Sequence, residues 1–214
     1  MNYVNVIEKL IGEYGAEKCA LNFSTPYELL VAVVLSSQCT DKRVNKVTSK
    51  LFKVASTPKD IIKLGEDKIK EYIYTCGFYN TKAKSIIALS NDIINKFDGN
   101  VPSTMSELMS LRGVGEKTAS VVLAVAYNIP AFAVDTHVFR VANKIGLTNN
   151  SVSPHASMVE IMKKIPKRLW IDGHYSLVLH GRNVCSARKP KCEQCLISGS
   201  CKYYLTKSKE IKNV

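Results

Sequence analysis

Apolar positions recur along this chain mostly at three- and four-residue intervals, which predicts helices nearly throughout. Thr25-Pro26-Tyr27-Glu28 has the form of a capping box with proline at the first helical position. It predicts a helix over 27–38 that is apolar on almost every face and so belongs at the centre of a core. Asp41 to Phe52 carries Val44, Val47 and Leu51 on one face. Thr57-Pro58-Lys59-Asp60 repeats the capping pattern ahead of a short helix that stops near Gly65, and 68–76 predicts another that ends at Gly77. Ile86, Ile87, Leu89, Ile93, Ile94 and Phe97 set a helix over 83–97, with Gly99 as its stop signal. A short helix over 103–110 leads to a longer one over 116–128, closed by Pro130.

Asp135 takes the N-cap position of a helix over 136–145, with Gly146 just past its end. Ser153-Pro154 opens a helix to about Ile165, and 170–183 is the last long one. The N-terminal stretch 1–15 is mixed and amphipathic, alternation over 131–134 is too brief for a strand, and the polar tail after Ser208 is expected to fray.

Hydrophobic residues make up 46% of the 214, enough for a sizeable core. The net charge of +12 and the pI of about 9.3 point to a polyanionic partner, with nucleic acid the first candidate. The longest wholly apolar run, Leu29 to Leu35, has seven residues, against roughly 18 for a membrane span. The N-terminus has neither the apolar block of a signal peptide nor the Arg-rich look of a transit peptide. Seven cysteines without such a signal argue for a reducing, cytoplasmic setting rather than a disulfide framework.

Chemistry concentrates in two places. The first is Leu111-Arg112-Gly113-Val114-Gly115-Glu116-Lys117, a glycine hairpin that leads into the apolar run 118–126. The glycines permit a tight turn and close approach to a partner, and the N–H groups of Gly113 and Gly115 can contact phosphate at the start of the following helix. Lys117 is then either a phosphate anchor or an amine nucleophile acting on something attached to a phosphate backbone. A nucleotide-binding P-loop does not fit, because Lys117 follows Glu116 rather than glycine and no strand precedes the turn.

The second is Cys185, Cys192, Cys195 and Cys201, separated by six, two and five residues. Thiolates clustered in this way bind zinc or an iron–sulfur centre. Only Cys192 and Cys195 form a C-x-x-C hook, and the unequal remaining loops favour a [4Fe–4S] cubane over zinc. Arg188, Lys189 and Lys191 lie in the first loop, and the chain from Arg182 onward carries a net +6, suited to gripping phosphates. Cys19, Cys39 and Cys76 have no partner spacing and read as small core residues. The four histidines read as packing and hydrogen-bonding groups.

The hairpin with Lys117, Asp135 eighteen residues on, and this cysteine pattern resemble the endonuclease III family of DNA base-excision repair glycosylases. So do Leu35-Ser36-Ser37-Gln38-Cys39-Thr40-Asp41, Gly77-Phe78-Tyr79-Asn80-Thr81-Lys82, Val134-Asp135-Thr136-His137-Val138-Phe139-Arg140-Val141 and Leu179-His180-Gly181-Arg182. Together these cover nearly the whole chain. The resemblance implies an all-α, two-lobed helix-hairpin-helix fold. Residues 19–129 would form a helical barrel domain with the hairpin motif at about 104–128. Residues 1–18 and 130–214 would form a cluster domain with its iron–sulfur loop at 185–201 and one [4Fe–4S] cluster. Double-stranded DNA with a damaged base or abasic site would lie in the cleft between them. The protein would be a monomer, cytoplasmic and nucleoid-associated in a prokaryote, with no membrane partner.

The resemblance also implies a division of labour. Gln38 fills the space left by a flipped-out nucleotide and bonds the orphaned base, while Phe78 wedges the stack from the other side. Lys117 attacks the sugar C1′ and expels the base. A free lysine titrates near ~10.4, so the helix start and partial desolvation are expected to help expose the neutral amine. Asp135 assists deprotonation and stabilises the cationic sugar. Opening to a Schiff base then permits β-elimination, so base removal and strand scission go together. Two positions depart from the common family pattern. Arg112 replaces a usual proline and adds a positive charge toward DNA; Phe78 replaces a frequent leucine. The adenine-mismatch branch of the superfamily, typically without a lysine at the hairpin, and a non-catalytic DNA-binding module are the competing readings.

Overall fold

The structure, a computed structural model, describes residues 2–15 and 19–212, with side chains through Ser208. In chain order the α-helices are α1 (Tyr3–Tyr14), α2 (Pro26–Ser36), α3 (Asp41–Leu51), α4 (Pro58–Leu64), α5 (Glu66–Ile73), α6 (Tyr79–Phe97), α7 (Met105–Ser110), α8 (Glu116–Ala126), α9 (Thr136–Ile145), α10 (Pro154–Lys164), α11 (Trp170–Asn183) and α12 (Lys202–Lys212). There is no strand among the described residues, and Ala131 to Val134 are buried without forming one. No described helix is long and apolar enough to cross a membrane. Contacts divide the chain into two compact units, Cys19–Ile129 and Met1–Lys18 with Pro130–Val214.

The first unit is built round α2. Leu29, Leu30, Val31, Ala32 and Leu35 are fully buried, and α3, α6 and α8 pack against the helix. An element covered on several sides needs no polar stripe, which is why α2 lacks one. Burying each leucine contributes about 1.5–3 kcal/mol. In the other unit α1, α9 and α11 pack together, and Ile7, Leu10, Val138, Val141 and Leu177 form the centre of the core.

Several boundaries differ from the sequence expectations for local reasons. α5 begins at Glu66 rather than at 68, because Gly65 both ends α4 and starts α5. α6 begins at Tyr79, four residues before the apolar pattern sets in; its first turn is polar and invisible to periodicity. α7 begins at Met105, since Thr104 and not an earlier residue caps it, and α8 ends at Ala126. α12 runs from Lys202 to Lys212, with Tyr204 packed on the core and Lys144 Nζ 4.8 Å from the Tyr203 ring centre; the fraying expected after Ser208 falls on side chains outside the described residues. Residues 213–214 lie outside the described chain.

The box at α2 closes differently from the pattern. Thr25 Oγ1 accepts from the Glu28 N–H at 3.1 Å, but the Glu28 carboxylate accepts from the N–H of Ser24, at 2.5 Å. At α4 both halves of the box form: Thr57 Oγ1 accepts from the Asp60 N–H at 3.2 Å and Asp60 Oδ2 accepts from the Thr57 N–H at 3.1 Å. The Thr57 hydroxyl, which also donates to Asp60 Oδ2, is the main cause holding that carboxyl below its ordinary value. A depressed carboxyl stabilises the fold above its unfolded value and loses that contribution as pH falls through the folded one. Thr57→Ala should therefore cost about 1 kcal/mol at neutral pH in urea unfolding. The gap to the wild type should narrow below about pH 4 as Asp60 protonates.

Candidate functional site

The hairpin joins α7 to α8. Val114 is buried and its N–H donates to the Leu111 carbonyl at 3.1 Å, which closes the turn. Gly113 sits at φ +81°, and a Cβ there would lie 2.8 Å from Ser85 Cβ on α6. Conformation and space both exclude a side chain, so the turn is pressed against α6. A Cβ on Gly115 would meet nothing within 4 Å, leaving that residue open to an incoming partner. Gly115 caps α8 with no side-chain hydrogen bond to its first N–H groups. Such a helix start favours an anion. Arg112 and Lys117 are exposed beside it. The desolvation expected for Lys117 is thus corrected: the protein leaves this side chain in water, and a bound partner would have to exclude it.

Gln38 and Phe78 are in left-handed backbone, at φ 51° and 57°. A bulky residue in that region costs roughly 1–3 kcal/mol and persists only where its surroundings enforce it. Phe78 is also 66% exposed, so the core does not explain its aromatic ring. Gln38 is exposed two residues beyond the end of α2. These side chains project from adjacent turns: a Cβ on Gly77 would lie 3.3 Å from the Gln38 carbonyl oxygen, and Arg43 Nη1 donates to the Thr75 carbonyl at 2.9 Å. Cys39 and Cys76, both free thiols, lie in these same turns; Cys76 is buried, whereas Cys19 and Cys39 are only half-buried, not core residues as expected.

In the other unit, Asp135 caps α9. Its Oδ1 accepts from the N–H groups of His137 at 2.9 Å and Val138 at 2.8 Å, and Oδ2 takes no hydrogen bond from the described residues. Capping therefore uses one oxygen and leaves the other for chemistry. Arg188, Lys189 and Lys191 are all exposed.

The four cysteines Cys185, Cys192, Cys195 and Cys201 line one small apolar-walled pocket, partly open to solvent, next to Ile145, His180 and Val184. Short turns deliver them: the Cys195 N–H donates to the Cys192 carbonyl, Ser198 to Cys195, and Cys201 to Ser198. Among the described residues no three His, Cys, Asp or Glu gather tightly enough for a single ion. Four cysteines with a single C-x-x-C hook suit a multi-atom cluster better than a zinc ion. Burial pushes the Cys185 and Cys195 thiols up, while Lys144 and Arg140 pull Cys185 the other way. Thiolates in this setting need a cationic centre between them.

The sequence reading missed the residues that hold this loop. Arg140 donates from Nε to the Cys185 carbonyl at 3.0 Å and from Nη2 to the Gly181 carbonyl at 2.7 Å, and Lys144 donates to the Ser186 carbonyl at 3.1 Å. His180, expected to pack and hydrogen-bond, places Nε2 3.6 Å from Cys195 Sγ and Nδ1 3.1 Å from the Tyr14 hydroxyl. Burial lowers the ring to about 4, so it is neutral at pH 7. The ring thus lies between the Tyr14 hydroxyl and the Cys195 sulfur, with one nitrogen toward each. No spacing rule would have shown this; only the fold brings 180 to 195.

Residues 31–167 match the HhH-GPD superfamily of base excision DNA repair proteins, and residues 185–201 match the iron–sulfur binding domain of endonuclease III. The chain is 48% identical to endonuclease III of Haemophilus influenzae over 94% of each chain, and 46% identical to that of Escherichia coli K12 over 86% of each. A solved structure of a trapped endonuclease III–DNA covalent intermediate superposes with a TM-score of 0.89 at 39% identity, covering 96% of each chain. Cys195→Ala should abolish the broad visible absorbance of the cluster and lower Tm by roughly 5 °C or more. Protease should then cut within 185–201; retention of full absorbance would remove Cys195 from the ligand set. The chain belongs to the endonuclease III family, HhH-GPD base-excision repair enzymes that are both DNA glycosylases and AP lyases and carry a [4Fe–4S] cluster.

Proposed function

We propose that this enzyme removes oxidised pyrimidines from duplex DNA through a Schiff base on Lys117 and cuts the strand 3′ to the abasic site. The observation that carries the reading is an exposed amine in the first turn of a helix whose start has no side-chain cap. Phosphate held by the N–H groups of Gly113 and Gly115 brings deoxyribose to that amine. Lys117 Nζ then forms a bond to C1′ as the C1′–N bond to the base breaks, and the base leaves with the electron pair. The free Oδ2 of Asp135 is suited to accept the proton shed by the amine and to face the positive charge that develops on the sugar. The C1′–O4′ bond opens to an iminium, C2′ loses a proton, and the C3′–O bond breaks to release the 3′ phosphate.

Gln38 occupies the place of the flipped nucleotide and Phe78 wedges the stack beside it; an exposed ring in strained backbone is what supports the wedge. Arg112, Arg188, Lys189 and Lys191 neutralise phosphates, which the net charge of +12 supports. The cluster, when bound, supplies a rigid anchor of metal–thiolate bonds for the loop bearing three of those cations. Residues 19–129 act as the helical barrel domain, and 1–18 with 130–214 as the cluster domain. The protein works as a monomer on double-stranded DNA, in the cytoplasm of a prokaryote with the nucleoid and not at a membrane.

Borohydride should trap the wild type on a thymine glycol duplex, and not on adenine opposite 8-oxoguanine. Lys117→Gln should give no adduct and lower strand scission roughly a thousandfold or more; a trapped adduct with that variant would refute the nucleophile assignment. Asp135→Asn should lower turnover about a hundredfold while DNA affinity, read by fluorescence anisotropy, changes far less. Equal losses in both would reduce Asp135 to a helix cap.

A further inference from the structure

Lys82 is 6% exposed, in the first turns of α6, where the helix dipole disfavours a cation. Among the described residues no carboxylate pairs with it. Its Nζ donates to the carbonyls of Leu35 at 2.9 Å and Ser37 at 2.6 Å, at the end of α2, where the dipole favours a cation. The same residue's backbone N–H donates to the Phe78 carbonyl at 3.0 Å. One residue therefore ties the turn carrying Gln38, directly after Ser37, to the turn carrying Phe78. Burial pulls the Lys82 amine down from its ordinary value, while the nearby Cys39 and Cys76 sulfurs act against that. A neutral methyl-capped chain would fill the same slot with less desolvation, so stability alone is a poor reason for an amine here.

We infer that Lys82 is a positioning residue for lesion recognition, fixing the spacing between the Gln38 and Phe78 turns so that both side chains can enter the base stack together. This rests on the reading of Gln38 as the plug and Phe78 as the wedge. The arrangement sets the two turns before DNA arrives: Lys82 holds α2's last carbonyls, Gly77 gives room for the Gln38 carbonyl, and Arg43 pins Thr75. Misplacing either side chain by an ångström would affect the opening of a stacked, paired base much more than later chemistry on a sugar that has already lost its base.

The test compares Lys82→Met and Lys82→Arg with Gln38→Ala and Phe78→Ala in the full-length, cluster-loaded protein. The first substrate is a duplex with one thymine glycol flanked by 2-aminopurine, whose fluorescence rise reports unstacking under single turnover. The second is the same duplex with a preformed abasic site, read by strand scission. Lys82→Met should slow the fluorescence rise about tenfold or more and scission at the abasic site less than about threefold, with Lys82→Arg recovering most of the difference. Equal slowing on both substrates, or no slowing on either, would overturn the positioning role. If Gln38→Ala and Phe78→Ala leave unstacking unchanged, the plug-and-wedge reading itself fails; if they slow it and a folded Lys82→Met does not, only the role of Lys82 fails. Should Lys82→Met not fold, Gly77→Ala presses on the Gln38 carbonyl from the neighbouring turn and is judged by the same ratio.

Discussion

Backbone N–H groups without a side-chain acceptor are the constraint round which this molecule is arranged. Every α-helix begins with N–H groups that its own ladder cannot use. In α2, α3, α4, α7, α9 and α10 a Thr, Asp or Ser side chain accepts from them. α8 starts instead at Gly115, with no such acceptor. α5, α6 and α11 are also uncapped, but α5 follows α4 through the shared Gly65, α6 starts from the left-handed turn at Phe78, and α11 continues a 3₁₀ turn. At α8 the preceding turn is held to α6 by a glycine that has no room for a side chain. The fold therefore fixes the donors in place and leaves the anion to come from outside. A repair enzyme needs this, because it must grip a backbone common to all sequences before it can test a base.

The grip depends on a stiff platform. Since α2 is buried along most of its length, its end cannot drift, and the turn after it inherits that precision. The left-handed conformation at Gln38 and Phe78 is unfavourable by roughly 1–3 kcal/mol each, and carbonyl bonds from Lys82 and Arg43 help offset it. Conformational entropy is thereby lost during folding rather than on DNA, which favours tight, fast recognition. An exposed phenylalanine in a free protein is otherwise a liability for solubility, and the strong positive charge counteracts it.

Much of this was legible in the residues, and what was not had physical causes. From α2 to α11 helix order and type followed from apolar spacing, and the bounds of α9 and α11 agree with the pattern, because strong caps or long amphipathic runs mark them. The start of α6 was hidden because its first turn is polar, yet that turn contains the buried Lys82. A lysine reads as surface in any local pattern; only the packing of α2 on α6 turns it inward. The Cys185, Cys192, Cys195 and Cys201 set was readable because metal ligands cluster in sequence. Arg140 and His180, which support those ligands, were not, since hydrogen bonds to carbonyls and sulfurs have no preferred spacing. α12 was not foreseen for a related reason: Tyr203 and Tyr204 find Lys144 and the core only in three dimensions.

The segment 185–201 shows why a cluster belongs here at all. It contains few large apolar residues, Leu196 and Ile197 among them, and only Ile197 is well buried. Burial of that size cannot order seventeen residues against their conformational entropy, which is about 1–2 kcal/mol per residue for the backbone alone. On the proposed ligand set, bonds from four sulfurs to one centre would replace the missing core, and Arg140, Lys144 and His180 orient the loop that carries them. A loop fixed in this way can present Arg188, Lys189 and Lys191 at defined positions, whereas the same cations on a slack loop would attract DNA without registering it. Under that proposal metal ligation and phosphate binding would be a single device: the cysteines would supply the rigidity that lets three exposed charges be placed rather than merely present.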